Sequence, residues 1–334
     1  MRAVRLLGSR RAEVIDRPDP VSEGDEVVVE VRAAAICGSD LHGLYRPEGA
    51  RPWVPGHEAA GVVVGTAGRG RFREGDRVVL TAFKQCGACE YCRAGYAAYC
   101  RAMEGVYGFT RDGAHAQRVR VAERSLLPLP DSVPFEAACL LIDPIGTPFH
   151  AAQRVGLNGS HVVGVFGLGP MGLGAVMVAR RLGAMVIGID PVPFRRALAE
   201  KLGAERTVDP SGADAAAAVR KACPDGRLDR AFECSGSPQA LWTALELVRP
   251  FGHVAIIGEQ RSAAVSPSDH FNRKEITLSG SCCFPLGEYD AILRMLEGGL
   301  DPTRLVTHRF SLEEAAEAYR VFDGGMTGKV LLIP

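Results

Sequence analysis

The sequence has no excess of charge of either sign. Lysine plus arginine and aspartate plus glutamate each number 39 in 334 residues, so the formal net charge is zero. A neutral chain has no electrostatic footprint for nucleic acid or for an anionic membrane surface. We therefore expect a small-molecule partner, with neither nucleic acid nor membrane among the partners.

Long apolar runs are also missing. No uninterrupted apolar stretch reaches the roughly 18 residues that a membrane-spanning helix needs. The first residues, MRAVRLLGSR, lack the apolar region and small-residue cleavage site of an export signal. We expect a cytoplasmic protein, in which ten cysteines indicate metal binding or catalysis rather than disulfides, because the cytosol keeps thiols reduced.

The chain is longer than the size at which one hydrophobic core usually stops growing, so we expect two domains. Up to about Val121, β-branched runs broken by glycine predict a mostly antiparallel β domain. From about Ala151, strands and amphipathic helices alternate, which predicts a parallel sheet. The predicted strands are 161–166, 185–189, 230–233, 253–257, 275–281 and 329–333, and the predicted helices are 171–182, 194–202, 213–222, 238–248, 287–297 and 312–322.

Four cysteines are concentrated in one loop, KQCGACEYCRAGYAAYC. Their spacing, C-x2-C-x2-C-x7-C, lets four thiolates converge tetrahedrally on one Zn²⁺ with no position left for water. An iron–sulfur cluster also uses closely spaced thiolates, but the usual ferredoxin spacings differ from this one. We predict a structural zinc held by Cys86, Cys89, Cys92 and Cys100.

Two further segments carry metal-ligating residue types, CGSDLH at 37–42 and GHE at 56–58. A catalytic zinc takes thiolate and imidazole ligands from separate loops and keeps one position open for water or substrate. Either segment alone is weak evidence, since a histidine in such a tripeptide is more often structural. The order of the two segments, followed by the four-cysteine loop, is the stronger signal.

A strand, a glycine-rich turn and a helix at 162–182 predict a dinucleotide site. The glycines permit a tight turn, close approach of pyrophosphate, and packing of the helix on the strand. The next strand ends at Asp190, whose carboxylate would bind the ribose 2′-hydroxyl and repel a 2′-phosphate, so NAD is favoured over NADP. Arg195 keeps the alternative open, because arginine can stack on adenine or bind a 2′-phosphate. The predicted turn comprises Gly167, Leu168, Gly169, Pro170, Met171 and Gly172.

In this order the motifs resemble those of the zinc-containing medium-chain alcohol dehydrogenases, in the branch of polyol, threonine and aminocyclitol dehydrogenases. The resemblance spans nearly the whole chain and implies an α/β protein with a GroES-like irregular β catalytic domain and a doubly wound, parallel Rossmann sheet. The implied catalytic domain comprises residues 1–147 and 299–334, with a structural zinc lobe at about 84–102. The implied NAD-binding domain comprises residues 148–298. Relatives of this kind form homodimers or homotetramers.

The resemblance also implies roles in the open metal site. Cys37 and His57 correspond to catalytic zinc ligands, and Asp40 to a carboxylate that fixes the imidazole tautomer of His57. Glu58 corresponds to an adjacent carboxylate that can approach the metal. In the polyol and threonine dehydrogenases a carboxylate before proline is the third ligand, which makes Asp143 of LLIDPIGTPFHA the candidate.

Five further residues are candidates for metal binding, proton transfer or packing. Cys139 competes with Asp143 as a ligand, but it stands five residues before the proline and a small buried thiol accounts for it. Ser39 resembles the hydroxyl that begins a proton relay, which His42 could finish at the surface. The vicinal Cys282 and Cys283 follow an apolar strand, where we expect buried packing rather than redox chemistry.

The expected chemistry is hydride transfer between NAD(H) and a secondary alcohol or ketone. Two zinc ions per chain are implied, and the catalytic one would lower the pKa of the substrate hydroxyl. By resemblance, the carboxylate ligand points to a polyol, cyclitol, sugar or amino alcohol, and GFTRDGA at 108–114 looks like aminocyclitol dehydrogenases. The same resemblance places Thr147, Ser235, Gly236, Ile257 and Gly258 at the dinucleotide.

Three alternative functions predict different sequence features. An L-threonine 3-dehydrogenase would usually have Asn-Ala where this chain has Thr147-Pro148. A non-catalytic NAD-binding protein would have lost an open-site ligand, and a zinc-independent reductase would lack both zinc motifs. Both motifs are present, so the sequence favours a catalytic zinc enzyme.

Overall fold

A computed structural model describes residues 1–68, 70–212 and 214–334. The described chain divides into two compact units: unit 1 comprises Met1–Ile142, Pro285–Gly287 and Val306–Pro334, and unit 2 comprises Asp143–Phe284 and Glu288–Leu305. The expected domain boundaries, after residues 147 and 298, lie a few residues from these bounds. Among the described residues we find no helix with the length and apolarity that a membrane crossing requires.

The described residues form the following elements. The strands are β1 (Arg2–Gly8), β2 (Arg11–Asp16), β3 (Glu26–Ala35), β4 (Glu58–Gly65), β5 (Arg77–Leu80), β6 (Phe83–Lys84), β7 (Gly105–Val106), β8 (Arg118–Ala122), β9 (Leu126–Pro128), β10 (Val162–Phe166), β11 (Met185–Ile189), β12 (Arg206–Val208), β13 (Leu228–Glu233), β14 (Val248–Ile256), β15 (Thr277–Gly280), β16 (Val306–Ser311) and β17 (Lys329–Ile333). The α-helices are α1 (Gly38–Asp40), α2 (Glu90–Arg93), α3 (Phe135–Ala138), α4 (Gly146–Arg154), α5 (Pro170–Arg181), α6 (Pro193–Leu202), α7 (Ala215–Ala222), α8 (Pro238–Leu247), α9 (Tyr289–Glu297) and α10 (Ala315–Asp323). Turns of π-helix lie at Leu41–Tyr45, Leu141–Ile145 and Pro267–Asn272.

Unit 1 is built on a sheet with the order β16-β17-β3-β4-β5-β9, in which β8 also pairs with β3. All its pairs are antiparallel except β16 with β17. Alternate residues of β3, Val27, Val29 and Val31, enter the buried core of this sheet, as the period of two in a strand requires. The predicted antiparallel β fold is confirmed, and the C-terminal strands complete the same sheet.

Unit 2 contains six parallel strands in the order β12-β11-β10-β13-β14-β15. The chain runs outwards from β10 to β12, then restarts on the other side at β13, which is a doubly wound sheet. The predicted helix at 213–222 corresponds to α7, and its first position, Ala213, lies outside the described residues. In such sheets ligands bind beyond the carboxyl ends of the strands, where the winding reverses.

Candidate zinc sites and dinucleotide site

Four thiols of unit 1 converge in the loop between β6 and β7. The Sγ atoms of Cys86, Cys89, Cys92 and Cys100 all lie within 4.8 Å of one another. The Sγ–Sγ distance is 3.5 Å between Cys89 and Cys92 and 3.9 Å between Cys86 and Cys92. None of the four forms a disulfide. The loop therefore brings together the closed set of sulfur donors that its spacing predicts.

Backbone N–H groups of the loop point at these sulfurs. Cys86 Sγ accepts hydrogen bonds from the N–H groups of Ala88 and Cys89, both at 3.4 Å, and Cys100 Sγ accepts from the Cys86 N–H at 3.2 Å. Backbone hydrogen bonds lower the pKa of Cys86, and they lower that of Cys89 to about 6. Burial, together with hydrogen bonds from the neighbouring thiols, raises the pKa of Cys92 to about 12. The thiolate is the metal-binding form, so the hydrogen-bonded sulfurs of Cys86 and Cys89 are the ones whose environment fits zinc.

A second, mixed group of ligand atoms lies at the ends of two central strands of unit 1. Cys37 follows β3 and caps the N-terminus of α1, while His57 immediately precedes Glu58, the first residue of β4. The two strands are antiparallel, and Ala35 pairs with Glu58, so the end of one meets the start of the other. Ligand atoms of Cys37, His57 and Glu58 lie within 4.8 Å of one another.

Asp40 stands behind His57 and is completely buried. Its Oδ2 accepts a hydrogen bond from the Cys37 N–H at 2.9 Å, and its Oδ1 lies 3.3 Å from His57 Nδ1. Burial acts to raise the pKa of Asp40, but the charge of His57 and hydrogen bonds hold it below the ordinary value. An ionised carboxylate at Nδ1 favours the tautomer with the proton on that nitrogen, which leaves Nε2 as the ligand atom.

Glu58 is paired with a lysine that sequence reasoning missed. Lys329 Nζ lies 2.5 Å from Glu58 Oε1 and also donates to the Ile36 carbonyl at 3.3 Å. Both side chains are buried. The contact arises because β17 pairs with β3 in register Leu331 to Ala35, beside β4. A lysine thus balances the carboxylate of the mixed group from the far end of the chain.

The loop that carries His57 packs against the segment GFTRDGA. Gly56 has φ +97°, and a Cβ atom there would lie 2.3 Å from the ring of His115. A Cβ atom on Gly113 would lie 2.2 Å from the Gly56 carbonyl oxygen. The Phe109 ring centroid is 5.1 Å from that of His57. The segment at 108–114 therefore packs against both the loop and the imidazole of His57.

The expected relay residues lie in one helical segment. Ser39 is half-buried within α1, and His42 is exposed in the following π-helical turn, with its Nδ1 atom 3.2 Å from Arg46 Nη1.

Cys139, the competing candidate for a zinc ligand, is buried. Its thiol donates a hydrogen bond to the Glu136 carbonyl at 3.3 Å, and burial raises its pKa. The structure thus gives Cys139 the environment of a packed thiol.

Asp143 opens unit 2 within the π-helical turn Leu141–Ile145. Its Oδ1 accepts a hydrogen bond from Thr147 Oγ1 at 3.3 Å, and Thr147 is buried in α4. A Cβ atom on Gly174 of α5 would lie 1.7 Å from the Pro144 carbonyl oxygen. Only glycine at position 174 therefore allows α5 to pack this close to the turn. In the sequence, the sign of this constraint is that Gly174 follows closely on the three glycines of the predicted motif.

The glycine turn after β10 has the geometry that a pyrophosphate requires. Gly167 has φ +89°, and a Cβ atom on it would lie 2.6 Å from Ser235. A Cβ atom on Gly172 would lie 1.8 Å from the Gly167 carbonyl oxygen, whereas one on Gly169 would meet nothing within 4 Å. Gly169 caps α5, which begins at Pro170 and carries Met171 in its first turn. The open space thus lies at a helix N-terminus, which favours anions.

Asp190 follows β11 and is almost completely buried. Its Oδ2 accepts from the Leu168 N–H and its Oδ1 from the Val192 N–H, both at 2.8 Å. Arg195 Nη1 lies 3.6 Å from Asp190 Oδ2. The carboxylate is therefore held rigidly beside the glycine turn, with a guanidinium near it.

Glu233 is a further organising residue that sequence reasoning missed. It ends β13, is fully buried, and its Oε1 accepts from the N–H groups of Ser235 at 2.8 Å and Gly236 at 3.0 Å. Its own carbonyl accepts from the N–H groups of Ile257 and Gly258, both at 2.8 Å. Glu233 thus fixes both of the loops that follow β13 and β14. An acidic residue at the end of a buried parallel strand is the sequence feature that could have identified this role.

The expectation of buried packing for the vicinal cysteines is wrong. Cys282 is exposed and Cys283 is only partly buried. The chain leaves β15 at Gly280, and Cys283 has φ +57°, which turns it away from the strand direction. Apolar flanking residues predict burial only while the strand continues.

Two known protein families match two separate parts of the chain. Residues 23–131 match the alcohol dehydrogenase GroES-like domain family, and residues 170–298 match the zinc-binding dehydrogenase family. The L-threonine 3-dehydrogenase of Anaeromyxobacter sp. (strain Fw109-5) is 34% identical, over 98% of this chain and 98% of its own length. The sorbitol dehydrogenase of Bacillus subtilis (strain 168) is 32% identical, over 95% and 92% respectively. The chain belongs to the zinc-binding alcohol dehydrogenase family.

A solved structure supports this membership throughout the chain. The alcohol dehydrogenase TADH from Thermus sp. ATN1 matches with a TM-score of 0.91 and 32% identity, and the match covers all of both chains. The protein is therefore an alcohol dehydrogenase of the polyol and threonine branch, with a GroES-like β domain and a Rossmann-type sheet. Its donor sets fit the metal of the family, since one is made of four thiols and the other combines thiol, imidazole and carboxylate.

Proposed function

We propose that this zinc-type alcohol dehydrogenase interconverts a secondary alcohol and its ketone with NAD(H). The proposed substrate is a polyol, cyclitol, sugar or amino alcohol. The observation that carries the proposal is the mixed group of Cys37, His57 and Glu58, with the buried Asp40 orienting the imidazole. Asp143 is proposed as a further ligand, on the strength of its position before proline in the family motif.

The four-cysteine loop is proposed as the structural zinc site. Its donor set is all sulfur, and a closed thiolate shell leaves no position for substrate. The mixed group is proposed as the catalytic site because its ligands come from separate segments, which is the pattern of an open zinc site. These separate assignments predict two zinc ions per chain.

The residues of the chain would then have the following roles in the reaction. Cys37, His57 and Glu58 would hold a zinc ion, which when bound would supply the Lewis acidity that lowers the pKa of a substrate hydroxyl, and bound NAD would supply the hydride acceptor. Asp40 keeps His57 in the ligating tautomer, and Lys329 balances the charge of Glu58. Ser39 would accept the hydroxyl proton while giving up its own to a ribose hydroxyl of the cofactor, and the exposed His42 would pass a proton on to solvent.

NAD is proposed over NADP because Asp190 presents a carboxylate beside the glycine turn. A 2′-phosphate placed there would face that negative charge, whereas a 2′-hydroxyl would donate to it. The nearby Arg195 is proposed to stack on the adenine. The loops at 235–236 and 257–258 and Thr147 complete the proposed dinucleotide site.

An amino alcohol such as L-threonine is the second candidate substrate. It is favoured by the 34% identity to an L-threonine 3-dehydrogenase over almost the whole chain. It is opposed by Thr147-Pro148, which stands where the threonine enzymes usually have Asn-Ala. The substrate screen described below distinguishes an amino alcohol from a polyol, cyclitol or sugar.

The test is a spectrophotometric screen for NADH formation by the zinc-loaded enzyme. Its substrate panel contains polyols, cyclitols, sugar alcohols and amino alcohols, with L-threonine among them, and each is run with NAD and with NADP. We expect NAD-dependent ketone formation from a polyhydroxylated or aminated secondary alcohol. Strict dependence on NADP would refute the role given to Asp190, and NADH binding without turnover of any substrate would favour a non-catalytic protein.

We also propose an assembly state and a cellular location. We propose a homodimer or homotetramer, as the family resemblance implies, which light scattering during size-exclusion chromatography measures directly. A cytoplasmic location fits ten cysteines without a disulfide, because zinc-binding thiolates need reducing surroundings. Fractionation of the native cells tests it.

A further inference from the structure

Two thiols stand side by side just beyond the parallel sheet of unit 2. Strand β15 ends at Gly280, and Ser281 leads into Cys282 and Cys283. The Sγ atoms of the two cysteines are 3.8 Å apart. Cys282 is exposed and Cys283 is partly buried, so a small reagent can reach the pair.

This proximity depends on an unusual backbone conformation. Successive side chains of an extended chain point in opposite directions, which would separate neighbouring thiols. Cys283 instead has φ +57°, in the left-handed region that residues other than glycine rarely adopt. The turn places both sulfurs on one side of the chain, and such rare conformations concentrate at functional positions.

The electrostatic surroundings favour reaction at Cys282. Its hydrogen bond with Cys283 lowers the pKa of the Cys282 thiol to about 7, against burial and the negative charges of Asp143 and Glu259, which act to raise it. The thiolate is the nucleophilic form of cysteine. At neutral pH the pair therefore offers one activated sulfur beside a second that can close a chelate.

We propose that Cys282 and Cys283 form a bidentate binding site for trivalent arsenicals, R–As(OH)₂. Each sulfur displaces one oxygen from arsenic, so two As–S bonds form and two As–O bonds break. The two thiol protons leave with these oxygens as two water molecules. Arsenic stays trivalent throughout, and the reaction needs no oxidant or reductant.

The adduct would lie at the edge of the sheet that binds the cofactor. All six strands are parallel, so their carboxyl ends share one edge, and that edge carries both the glycine turn after β10 and the pair after β15. Three strand spacings separate β15 from β10, or about 14 Å. An extended dinucleotide covers such a distance across the strand ends, so cofactor and arsenical exclude each other. This consequence rests on the proposed function, whereas the thiol site does not.

The site is tested with phenylarsine oxide on the zinc-loaded protein, using intact-protein and peptide mass spectrometry. We expect one phenylarsine group per chain that survives a monothiol wash and is removed by a dithiol. Cys282→Ser and Cys283→Ser should each lose this adduct, and either variant suffices if circular dichroism shows that the other is unfolded. Cys223→Ala, which alters a buried thiol elsewhere in unit 2, should keep it.

Retention of the adduct by a folded Cys282 or Cys283 variant would overturn the proposal. So would uptake of arsenic with release of zinc and labelling of the 86–100 peptide, because the four-cysteine loop would then be the target. Protection is measured in parallel: at an NADH concentration 100 times its dissociation constant, labelling should slow about 100-fold. An unchanged rate with bound NADH would refute the overlap with the cofactor but leave the thiol site intact, and absence of alcohol oxidation would affect only the proposed function.

Discussion

Replacing Lys329 by methionine should destabilise the protein by about 3–5 kcal/mol, the usual cost of removing one partner from a buried ion pair. Lys329 and Glu58 are 1% and 0% exposed, and their charged atoms are 2.5 Å apart. Methionine keeps most of the side-chain volume but cannot donate to the carboxylate, which stays buried. In urea unfolding followed by circular dichroism, with zinc at saturation, the midpoint should fall by about 1–2 M, taking a slope of roughly 3 kcal/mol per M.

Two comparisons show whether burial causes the loss. Arg320→Met removes an exposed partner of Glu317, whose pair should be worth about 0–1 kcal/mol. The double variant Lys329→Met with Glu58→Leu removes both buried charges; compared with Lys329→Met after zinc is removed from both proteins, so that loss of a proposed ligand does not enter, it should regain most of the stability lost in the single variant. The reasoning is refuted if Lys329→Met costs no more than Arg320→Met, or if the double variant is as unstable as Lys329→Met alone.

Three further predictions concern unit 2. Gly174→Ala should lower stability by about 1–3 kcal/mol in thermal unfolding, since its Cβ would lie 1.7 Å from the Pro144 carbonyl oxygen, while Gly169→Ala, with nothing within 4 Å, should not. Asp190→Ala should raise the ratio of kcat/KM for NADP to that for NAD at least about tenfold, or ~1.4 kcal/mol; an unchanged ratio would show that the carboxylate does not set the preference. Glu233→Gln should raise KM for NAD about tenfold with little change in kcat, because it weakens charge-assisted hydrogen bonds that shape the cofactor loops; an equal loss in kcat would contradict this positioning role.

The features that could be predicted from the sequence are those that depend on local patterns. The alternation of apolar strands with amphipathic helices after Ala151 is a property of each short window, and it identifies the parallel sheet without any knowledge of contacts. The four-cysteine loop is likewise local, with all ligands between Cys86 and Cys100. The glycine turn is local only in part: a Cβ atom on Gly172 would meet the Gly167 carbonyl oxygen within the turn, whereas one on Gly167 would meet Ser235 of a later loop.

The features that were missed depend on contacts between distant segments. Lys329 reaches Glu58 because β17 pairs with β3 next to β4. The two residues are 271 positions apart in the chain, and no local pattern indicates that pairing. The tight fit of Gly174 against Pro144 is set by the packing of two helical segments. Cys282 is exposed and Cys283 next to it has φ +57°, neither of which residue type predicts.

The most direct test of the account is zinc content measured together with alcohol oxidation in matched cysteine variants. The native protein should hold two zinc ions per chain. Cys37→Ala should hold one and lose NADH formation, whereas Cys139→Ala, which alters a buried thiol, should hold two and stay active. A native protein with a single zinc that Cys37→Ala retains would contradict the open, mixed-ligand catalytic site.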